Sequence, residues 1–500
     1  MQLLASGPDI PEELFRLQEA GGLVFFCGSG ISRPAGLPDF PGLVSRVYEA
    51  IGEPLPVAKP SEPPSVAKPG ELSEPPDRLL FLLEQKLADP DIVRNTVRDL
   101  LMRTKRSAEA KRIHRALLDL GRGADGRLRL VTTNFDRLFQ REAKQSGYAH
   151  EKYVGPNLPL LRHNDWNGLV YLHGLLDSKS GTPPRIVLTS GDFGSAYLVD
   201  RWASRFLADL FAKYTVCFVG YSLGDPVVRY MTDALAAAKL NGEPGRTHYA
   251  FSRSLDIQTW EAKGIRPIAY EVFDKNGTEC HAHLYASLEK WASLWREGSL
   301  GRRGVVEECA HRDPRTSTEK DDFVGRMVWA LSDPTGQAAK TFAESQAEYP
   351  ESWFEELVKR RAPAGKWLGV PTPEPEKKGD VAQFSLFEHP LWTRDSAPGL
   401  VSFYSTTASE YWDPIIRELA VWFFQHLDNE RFFIWTATQR HPPNKQFLLD
   451  LQKTLDRTRE LERANNEKAR NDYLAIRPQV PPAFNVARGV APENVSANPL

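Results

Sequence analysis

The chain has 500 residues, of which 41% are hydrophobic and 26% are charged, and its formal net charge is −2. This length predicts two or three domains, and this balance is typical of globular proteins. A net charge so close to zero provides no bulk attraction to nucleic acid or to an anionic membrane, so we expect neither as a direct partner. The four cysteines form no Cys-x-x-Cys pair, which argues against a zinc ribbon and against a disulfide framework.

The amino-terminal residues have neither the basic start nor the apolar stretch of a signal peptide. No run of about 18 apolar residues, the length needed to span a bilayer, occurs in the sequence. We therefore expect a cytoplasmic protein.

The first predicted elements are a short helix over residues 11–20 and an apolar strand over residues 23–27. The strand ends at a run of small residues that includes Gly28, Ser29, Gly30 and Ser32. Small residues between a strand end and a helix start let backbone amides approach a pyrophosphate. A tight turn without a ligand is the alternative interpretation of this segment alone.

Residues 54–76 are rich in proline and nearly repeat themselves, since Val-Ala-Lys-Pro at 57–60 returns at 66–69. Such a segment has too few apolar residues to form a core, so we predict an exposed insertion. Helical patterns fill residues 78–120.

Four more strands are predicted, over residues 128–131, 169–172, 185–188 and 214–219. The repeated order of strand, loop and helix predicts an α/β fold, a Rossmann-like parallel sheet with helices on both faces. Ligands of such sheets bind beyond the carboxyl ends of the strands. Polar segments follow three of these strands, and they contain Asn134 and Asp136, His173, and Gly220 and Ser222.

The sequence after residue 300 changes in character. Residues 301–475 are predicted to be mainly helical, with helices over 352–362, from 413 onward and over about 446–470. This region contains no catalytic motif that we identify, and we expect a sensor or oligomerisation role. Residues 476–500 are rich in Pro, Ala and Asn and are predicted to be a tail or linker.

The segment Gly36-Leu37-Pro38-Asp39-Phe40 follows the glycine turn, and together they resemble the opening of the sirtuin family, the silent information regulator type. The resemblance covers about residues 10–295, and the motif segments have the family's order. It implies that His173 is the general base and that Asn134 is a second catalytic residue. It also implies that NAD is bound as a substrate by Gly28, Ser29, Gly30, Ser32, Asp39, Phe40, Asp136, Gly220 and Ser222.

The sequence departs from the deacylating sirtuins in three ways. It lacks their two Cys-x-x-Cys pairs, it has Pro41 where they have arginine, and it shows no clear counterpart of the strand that clamps an acyl-lysine peptide. The segments 186–193 and 220–226 look like the divergent bacterial branch, whose members act in antiphage defence by consuming NAD.

This resemblance implies an NAD+ hydrolase, with residues 1–300 as its catalytic domain, that releases nicotinamide and ADP-ribose and needs no metal. It further implies a homo-oligomer and an activating phage protein or defence-system partner. A non-catalytic NAD-sensing module and an NAD-dependent protein-lysine deacylase are the alternatives.

Cys280, His281 and His283 are residue types that bind zinc, but their spacing is not that of a standard closed site. We expect them at a packed element end instead.

Overall fold

The computed structural model describes most of the first 344 residues and a few beyond them. The described residues are 1–57, 72–89, 91–102, 107–161, 166–176, 185–221, 246–275, 278–318, 321–331, 333, 335–344, 349, 350, 352, 353, 452, 453 and 456. The chain divides into two compact units, one of Ser6–Trp295 and one of Met1–Ala5 with Arg296–Leu500.

A seven-stranded sheet, in which every neighbouring pair is parallel, forms the centre of the first unit. The spatial order is β3-β4-β2-β1-β5-β6-β7. The strands are β1 (Leu23–Cys27), β2 (Arg129–Thr132), β3 (Glu151–Val154), β4 (Gly168–Tyr171), β5 (Thr215–Val219), β6 (Tyr249–Arg253) and β7 (Arg266–Tyr270). The predicted Rossmann-like parallel α/β fold is therefore confirmed.

The order of the strands places a crevice beside β1. The chain adds β2, β4 and β3 on one side of β1, and then crosses over to add β5, β6 and β7 on the other. Ligands of open α/β sheets bind beyond the carboxyl ends of the strands at such a switch. The loops that follow β1, β2, β4 and β5 meet at this edge, and they are the loops that carry the sequence motifs.

Helices of the first unit surround the sheet. In the described part of the chain they are α1 (Glu12–Glu19), α2 (Phe40–Ile51), α3 (Pro76–Lys86), α4 (Asp91–Met102), α5 (Ala108–Leu120), α6 (Leu138–Ser146), α7 (Ser190–Gly194), α8 (Trp202–Lys213), α9 (Ile257–Ala262) and α10 (Ala282–Glu297). The second unit contains α11 (Ser299–Cys309), α12 (Phe323–Leu331) and α13 (Gln337–Glu344). A 3-10 helix covers Ser29–Ala35, and a π-helical turn covers Ser195–Val199.

The central strands form because they are apolar throughout. Every residue of β1 and β5 is buried, as expected for strands with helices on both faces. Val24 and Phe26 of β1 pack with residues of α8 in one core cluster. A second cluster joins α2, α3 and α4 to Phe135, Ile186 and Leu188.

One predicted strand is wrong, and three strands of the seven-stranded sheet were not predicted. The short antiparallel strands Phe273–Lys275 and Thr278–Cys280, which pair with each other, were not predicted either. Residues 185–188 form no strand, because the amides of Leu188 and Thr189 donate to the Asp192 carboxylate at 3.1 and 2.9 Å instead of to a neighbouring strand. The unpredicted strands β3, β6 and β7 are less uniformly apolar. β7 contains a proline, which a strand at the edge of a sheet tolerates.

The predictions for the rest of the chain lie largely outside the described residues. Of the proline-rich insertion, Val57 and Leu72 form an isolated antiparallel bridge, and residues 58–71 are not described. The described helices of the second unit are α11 to α13, whereas the helices predicted near 352, 413 and 446 and the tail fall mostly or wholly beyond the described part. Within the described residues, no helix combines the length and the apolar character needed to cross a membrane.

Two glycines with similar backbone conformations provide a test of the loop packing. Gly220 and Gly147 have φ values of +73° and +67°, but a Cβ atom on Gly220 would lie 2.7 Å from the backbone nitrogen of Ile31, whereas one on Gly147 would have no neighbour within 4 Å. Gly147→Ala should therefore lower the free energy of unfolding only by the strain of the left-handed conformation, about 1–2 kcal/mol. Gly220→Ala should cost about 1–3 kcal/mol more, because a backbone must move. Chemical unfolding of both variants measures the difference, and equal losses would contradict the close approach.

Candidate active site

The loops that follow β1 and β5 are in direct backbone contact. The Gly28 amide donates to Val219 O at 2.9 Å, and the Gly30 amide donates to Gly220 O at 2.8 Å. A Cβ atom on Gly30 would lie 2.8 Å from that same carbonyl oxygen. Glycine is therefore required at position 30 by the packing of the two loops, whether or not a pyrophosphate also binds there.

A buried polar network joins the loops after β1 and β2. Ser32 Oγ donates to Asp136 Oδ2 at 2.7 Å and accepts from Asn134 Nδ2 at 3.1 Å. Asn134 Nδ2 also lies 3.0 Å from Gly28 O. The three side chains are 1%, 6% and 7% exposed for Ser32, Asp136 and Asn134, so their hydrogen bonds to one another replace water.

Two threonines hold the Asn134 segment by hydrogen bonds to β1 and to the loop after β5. Thr132 Oγ1 donates to Cys27 O at 2.9 Å and accepts from the Asn134 amide at 3.1 Å. Thr133 Oγ1 and the Tyr221 hydroxyl are 2.7 Å apart. These contacts fix the backbone from which Asn134 and Asp136 project.

A cleft of about 580 Å³, its open mouth included, lies against this network. Its size and its mixture of apolar walls with a few polar groups are typical of small-molecule sites. The predicted site residues on its wall are Ser29, Ser32, Asp39, Phe40, Asn134, Asp136 and His173. The other lining residues are Leu37, Pro38, Leu43, Leu101, Thr133, Phe135, Val187 and Phe193. Gly28, Gly30 and Gly220 lie in the adjoining loops, and Ser222 is outside the described residues.

Asp39 has a local structural role in addition to its place in the cleft. It is the N-cap of α2, where its Oδ1 accepts from the Gly42 amide at 2.9 Å, and Pro41 lies in the first turn. Aspartate at the N-cap and proline just inside it are both favoured at helix starts. Helix initiation is therefore a physical reason for Pro41 at the position where deacylating sirtuins have arginine.

His173 follows β4 directly and is almost fully buried, with 3% of its surface exposed. Its Nε2 lies 2.9 Å from the Tyr197 hydroxyl, and the Phe193 ring meets it edge to face at 5.1 Å. Burial lowers the pKa of His173 to about 3, although the nearby Asp192 carboxylate opposes this effect. The imidazole is therefore neutral near pH 7, which is the form that accepts a proton.

An ion-pair network that the sequence motifs did not reveal supports this part of the wall. Arg94 donates two hydrogen bonds to Asp192, at 2.9 and 2.8 Å, and its Nε lies 3.0 Å from Glu84 Oε1. It also donates to Ile186 O at 3.1 Å. A Thr-x-x-Asp capping box at 189–192 is visible in the sequence, but its partner Arg94 on a distant helix is not.

The imidazoles of the Cys280 segment are bonded to other protein groups. The His281 Nδ1 and the Tyr270 hydroxyl are 3.0 Å apart, and the His283 Nδ1 lies 2.9 Å from Ser6 O. Among the residues that the structure describes, no group of three His, Cys, Asp or Glu side chains is placed to hold a metal ion.

Comparison with known proteins identifies the class of domain. Residues 128–268 match the family described as SIR2-like domain, so the chain contains a sirtuin-like domain of the divergent type. A SIR2-like domain implies a function that involves NAD. The matched range includes the Asn134, His173 and Gly220 segments, and the glycine turn at residues 28–32 precedes it.

One relative in the curated proteins extends the similarity beyond this range. The uncharacterized protein y4cA of Sinorhizobium fredii (strain NBRC 101917 / NGR234) is 31% identical over 370 residues, which are 72% of this chain and 29% of the relative. The chain therefore spans less than a third of the length of that relative.

The Arg94 network is expected to matter for stability. Arg94→Ala leaves the Glu84 and Asp192 carboxylates, whose side chains are 10% and 25% exposed, without their shared cation. We expect a loss of about 2–3 kcal/mol in the free energy of unfolding. The control is Arg112→Ala, whose partner Glu289 and own side chain are more exposed, and which should cost less than about 1 kcal/mol. Similar losses in the two variants, measured by chemical unfolding, would argue against the network.

The depressed pKa of His173 predicts a pH dependence of stability. The folded pKa of about 3 lies below the unfolded value of about 6.5. Between these values the unfolded chain binds the proton first, so stability is complete above pH 6.5 and falls as the pH drops, by at most about 1.4 kcal/mol per unit from this residue. His114, whose pKa burial also lowers, contributes in the same direction. The loss of unfolding free energy from pH 7.5 to pH 5 should be smaller in His173→Gln than in the wild type, and an identical loss would contradict the buried neutral imidazole.

Proposed function

We propose that the chain is an NAD+ hydrolase, an NAD glycohydrolase that releases nicotinamide and ADP-ribose. One observation carries the proposal: a single cleft in a SIR2-like domain is lined by Asn134, Asp136 and a neutral, buried His173. The cleft lies at the carboxyl ends of the strands, beside the glycine turn, where α/β sheets bind their ligands.

The proposed reaction breaks the bond between nicotinamide and C1′ of the ribose. Nicotinamide leaves as a neutral base, the sugar passes through a state with oxocarbenium character, and water adds to C1′. His173 accepts the proton that the water or a ribose hydroxyl gives up, a role worth about 10² to 10⁴ in rate. No oxidation or reduction takes place, so nicotinamide, ADP-ribose and a proton account for all atoms.

The other cleft residues have proposed positioning roles. Asn134 orients the ribose or the attacking water, because its amide is already held by Gly28 O and Ser32 Oγ. Asp39 and Asp136 position the nicotinamide riboside, and the loop from Gly28 to Ser32 holds the pyrophosphate. Gly220 and Ser222 belong to the adenosine side of the proposed site.

Transfer to water, rather than to an acyl-lysine, is supported by the sequence. The chain has no paired cysteines for a zinc module, and Pro41 begins a helix where an arginine would order the nicotinamide loop. Neither of these two observations favours the deacylase alternative. The NAD-sensing alternative shares the cleft and differs only in the absence of turnover.

The proposed biological role follows from the resemblance to the divergent bacterial branch. We propose an effector of antiphage defence that depletes cytoplasmic NAD, with residues 1–300 as the catalytic domain. The proposed homo-oligomer and the proposed phage protein or defence-system activator would act through the helical region from residue 301.

Substitution of the two catalytic candidates tests the activity. His173→Ala and Asn134→Ala should each reduce nicotinamide release from NAD by at least about 100-fold, because the first removes the base and the second removes the group that orients the ribose or the attacking water. The controls are His150→Ala and Asn157→Ala, two residues that do not line the cleft. Chromatography of the products measures nicotinamide, ADP-ribose and cyclic ADP-ribose.

The same assay separates the alternatives. Full activity in both catalytic variants would overturn the assignment. Acceleration of nicotinamide release by an acetylated peptide would favour the deacylase. Tight NAD binding without turnover, with or without candidate activators, would favour the sensing module.

A further inference from the structure

The hydroxyl of Tyr197 lies on a nitrogen of His173. The Tyr197 oxygen and His173 Nε2 are 2.9 Å apart, and the two side chains are 8% and 3% exposed. We propose that Tyr197 restrains the enzyme by donating a hydrogen bond from its hydroxyl to Nε2, so that His173 acts as a base only after Tyr197 withdraws. This inference rests on the proposed function.

A hydrogen bond from Tyr197 can block His173 as a base because a neutral imidazole has a single proton-accepting nitrogen. Such a ring has one N–H group and one lone pair, and only the lone pair accepts a proton. When the Tyr197 hydroxyl donates to Nε2, it occupies that lone pair and places the ring proton on Nδ1. Water in the cleft then has no acceptor on His173.

Neighbouring rings hold this arrangement in place. Phe193 meets His173 edge to face at 5.1 Å and stacks on Tyr197 with ring centres 5.9 Å apart. Phe193 lines the cleft, whereas Tyr197 is not among the residues on its wall. The Tyr197 hydroxyl can therefore bond His173 without filling the space that a substrate would occupy.

Three features of the segment that carries Tyr197 favour its displacement. It is the π-helical turn Ser195–Val199, and such turns depart from the regular α-helical hydrogen bonds and are frequent at functional sites. Arg201, two residues after the turn, has a φ of +59°, a strained conformation for a residue other than glycine. Leu198 and Val199 are already 72% and 76% exposed, so their displacement loses little burial.

The residues on either side of this segment are buried. Phe193 before it and Ala203 after it are 4% and 0% exposed. The Ser204 hydroxyl donates to Tyr197 O at 3.0 Å, which ties the turn to the start of α8. Within the segment, Ala196 and Tyr197 are 2% and 8% exposed and belong to the core cluster, so a displacement of residues 195–201 would free Nε2 at the cost of their burial.

The opposite role predicts the opposite result. If Tyr197 instead accepted a hydrogen bond from Nε2–H, it would orient His173 with its lone pair on Nδ1. Removal of the hydroxyl would then slow the reaction.

The test uses Tyr197→Phe in the full chain, with Tyr153→Phe as the matched control. The Tyr153 hydroxyl bonds Glu151 on the edge strand, and Tyr153 is not among the residues that line the cleft. Three quantities are measured: the imidazole nitrogen resonances of histidine-labelled protein, assigned with His173→Gln, the rate of nicotinamide release, and the affinity for NAD. We expect Tyr197→Phe to shift the His173 resonances and to raise release about threefold to tenfold, the equivalent of one hydrogen bond. The affinity for NAD and the behaviour of Tyr153→Phe should not change.

Unchanged His173 resonances in Tyr197→Phe would overturn the proposal, as would release that stays the same or falls. Failure of the proposed function looks different, because nicotinamide release would then persist in His173→Ala even though the resonances respond to Tyr197→Phe. If no variant released nicotinamide, with or without candidate activators, both the activity and its restraint would be excluded.

Discussion

The contact between the loops after β1 and β5 is the constraint on which the rest of the site depends. Gly30 and Gly220 approach so closely that neither position has room for a side chain. This approach fixes the position of the Gly28 carbonyl, which in turn receives the Asn134 amide group. The network from Asn134 through Ser32 to Asp136 is thus built on a contact between two backbones, and its geometry is set before any ligand binds.

The polar side chains of the site form hydrogen bonds with one another. Ser32, Asn134 and Asp136 satisfy one another, whereas His173 is kept neutral by burial and is bounded by aromatic rings. Dipoles that are already oriented need little reorganisation during a reaction, which is the physical basis of preorganised active sites. The segment that closes one side of the cleft contains Asp192, which is held by its ion pair with Arg94. Arg94 also pairs with Glu84.

The sequence predicted the centre of the fold better than its edges. The strands near β1, β4 and β5 are continuous apolar runs, and their glycine and polar ends marked the loops that meet at the cleft. The edge strand β3 has two exposed residues, and so it lacks that signal. Residues 185–188 have the apolar composition of a strand, but the Leu188 amide donates to the Asp192 carboxylate four residues later, as does the amide of Thr189. The contacts of Arg94 and Tyr197 depend on tertiary packing, so no local pattern revealed them.

The position of β1 in the sheet has a consequence for how the unit is assembled. β1 lies between β2 and β5, and Leu23 pairs with Thr215 although the chain between them forms three other strands of the sheet. A fragment with only residues 128–268, the range of the SIR2-like match, would lack its middle strand and expose two unpaired inner edges. During synthesis, the apolar β1 emerges long before β5, so one of its edges stays unpaired until β5 is made. Such non-local pairing makes folding slow, and the nascent chain is open to wrong partners until β5 arrives.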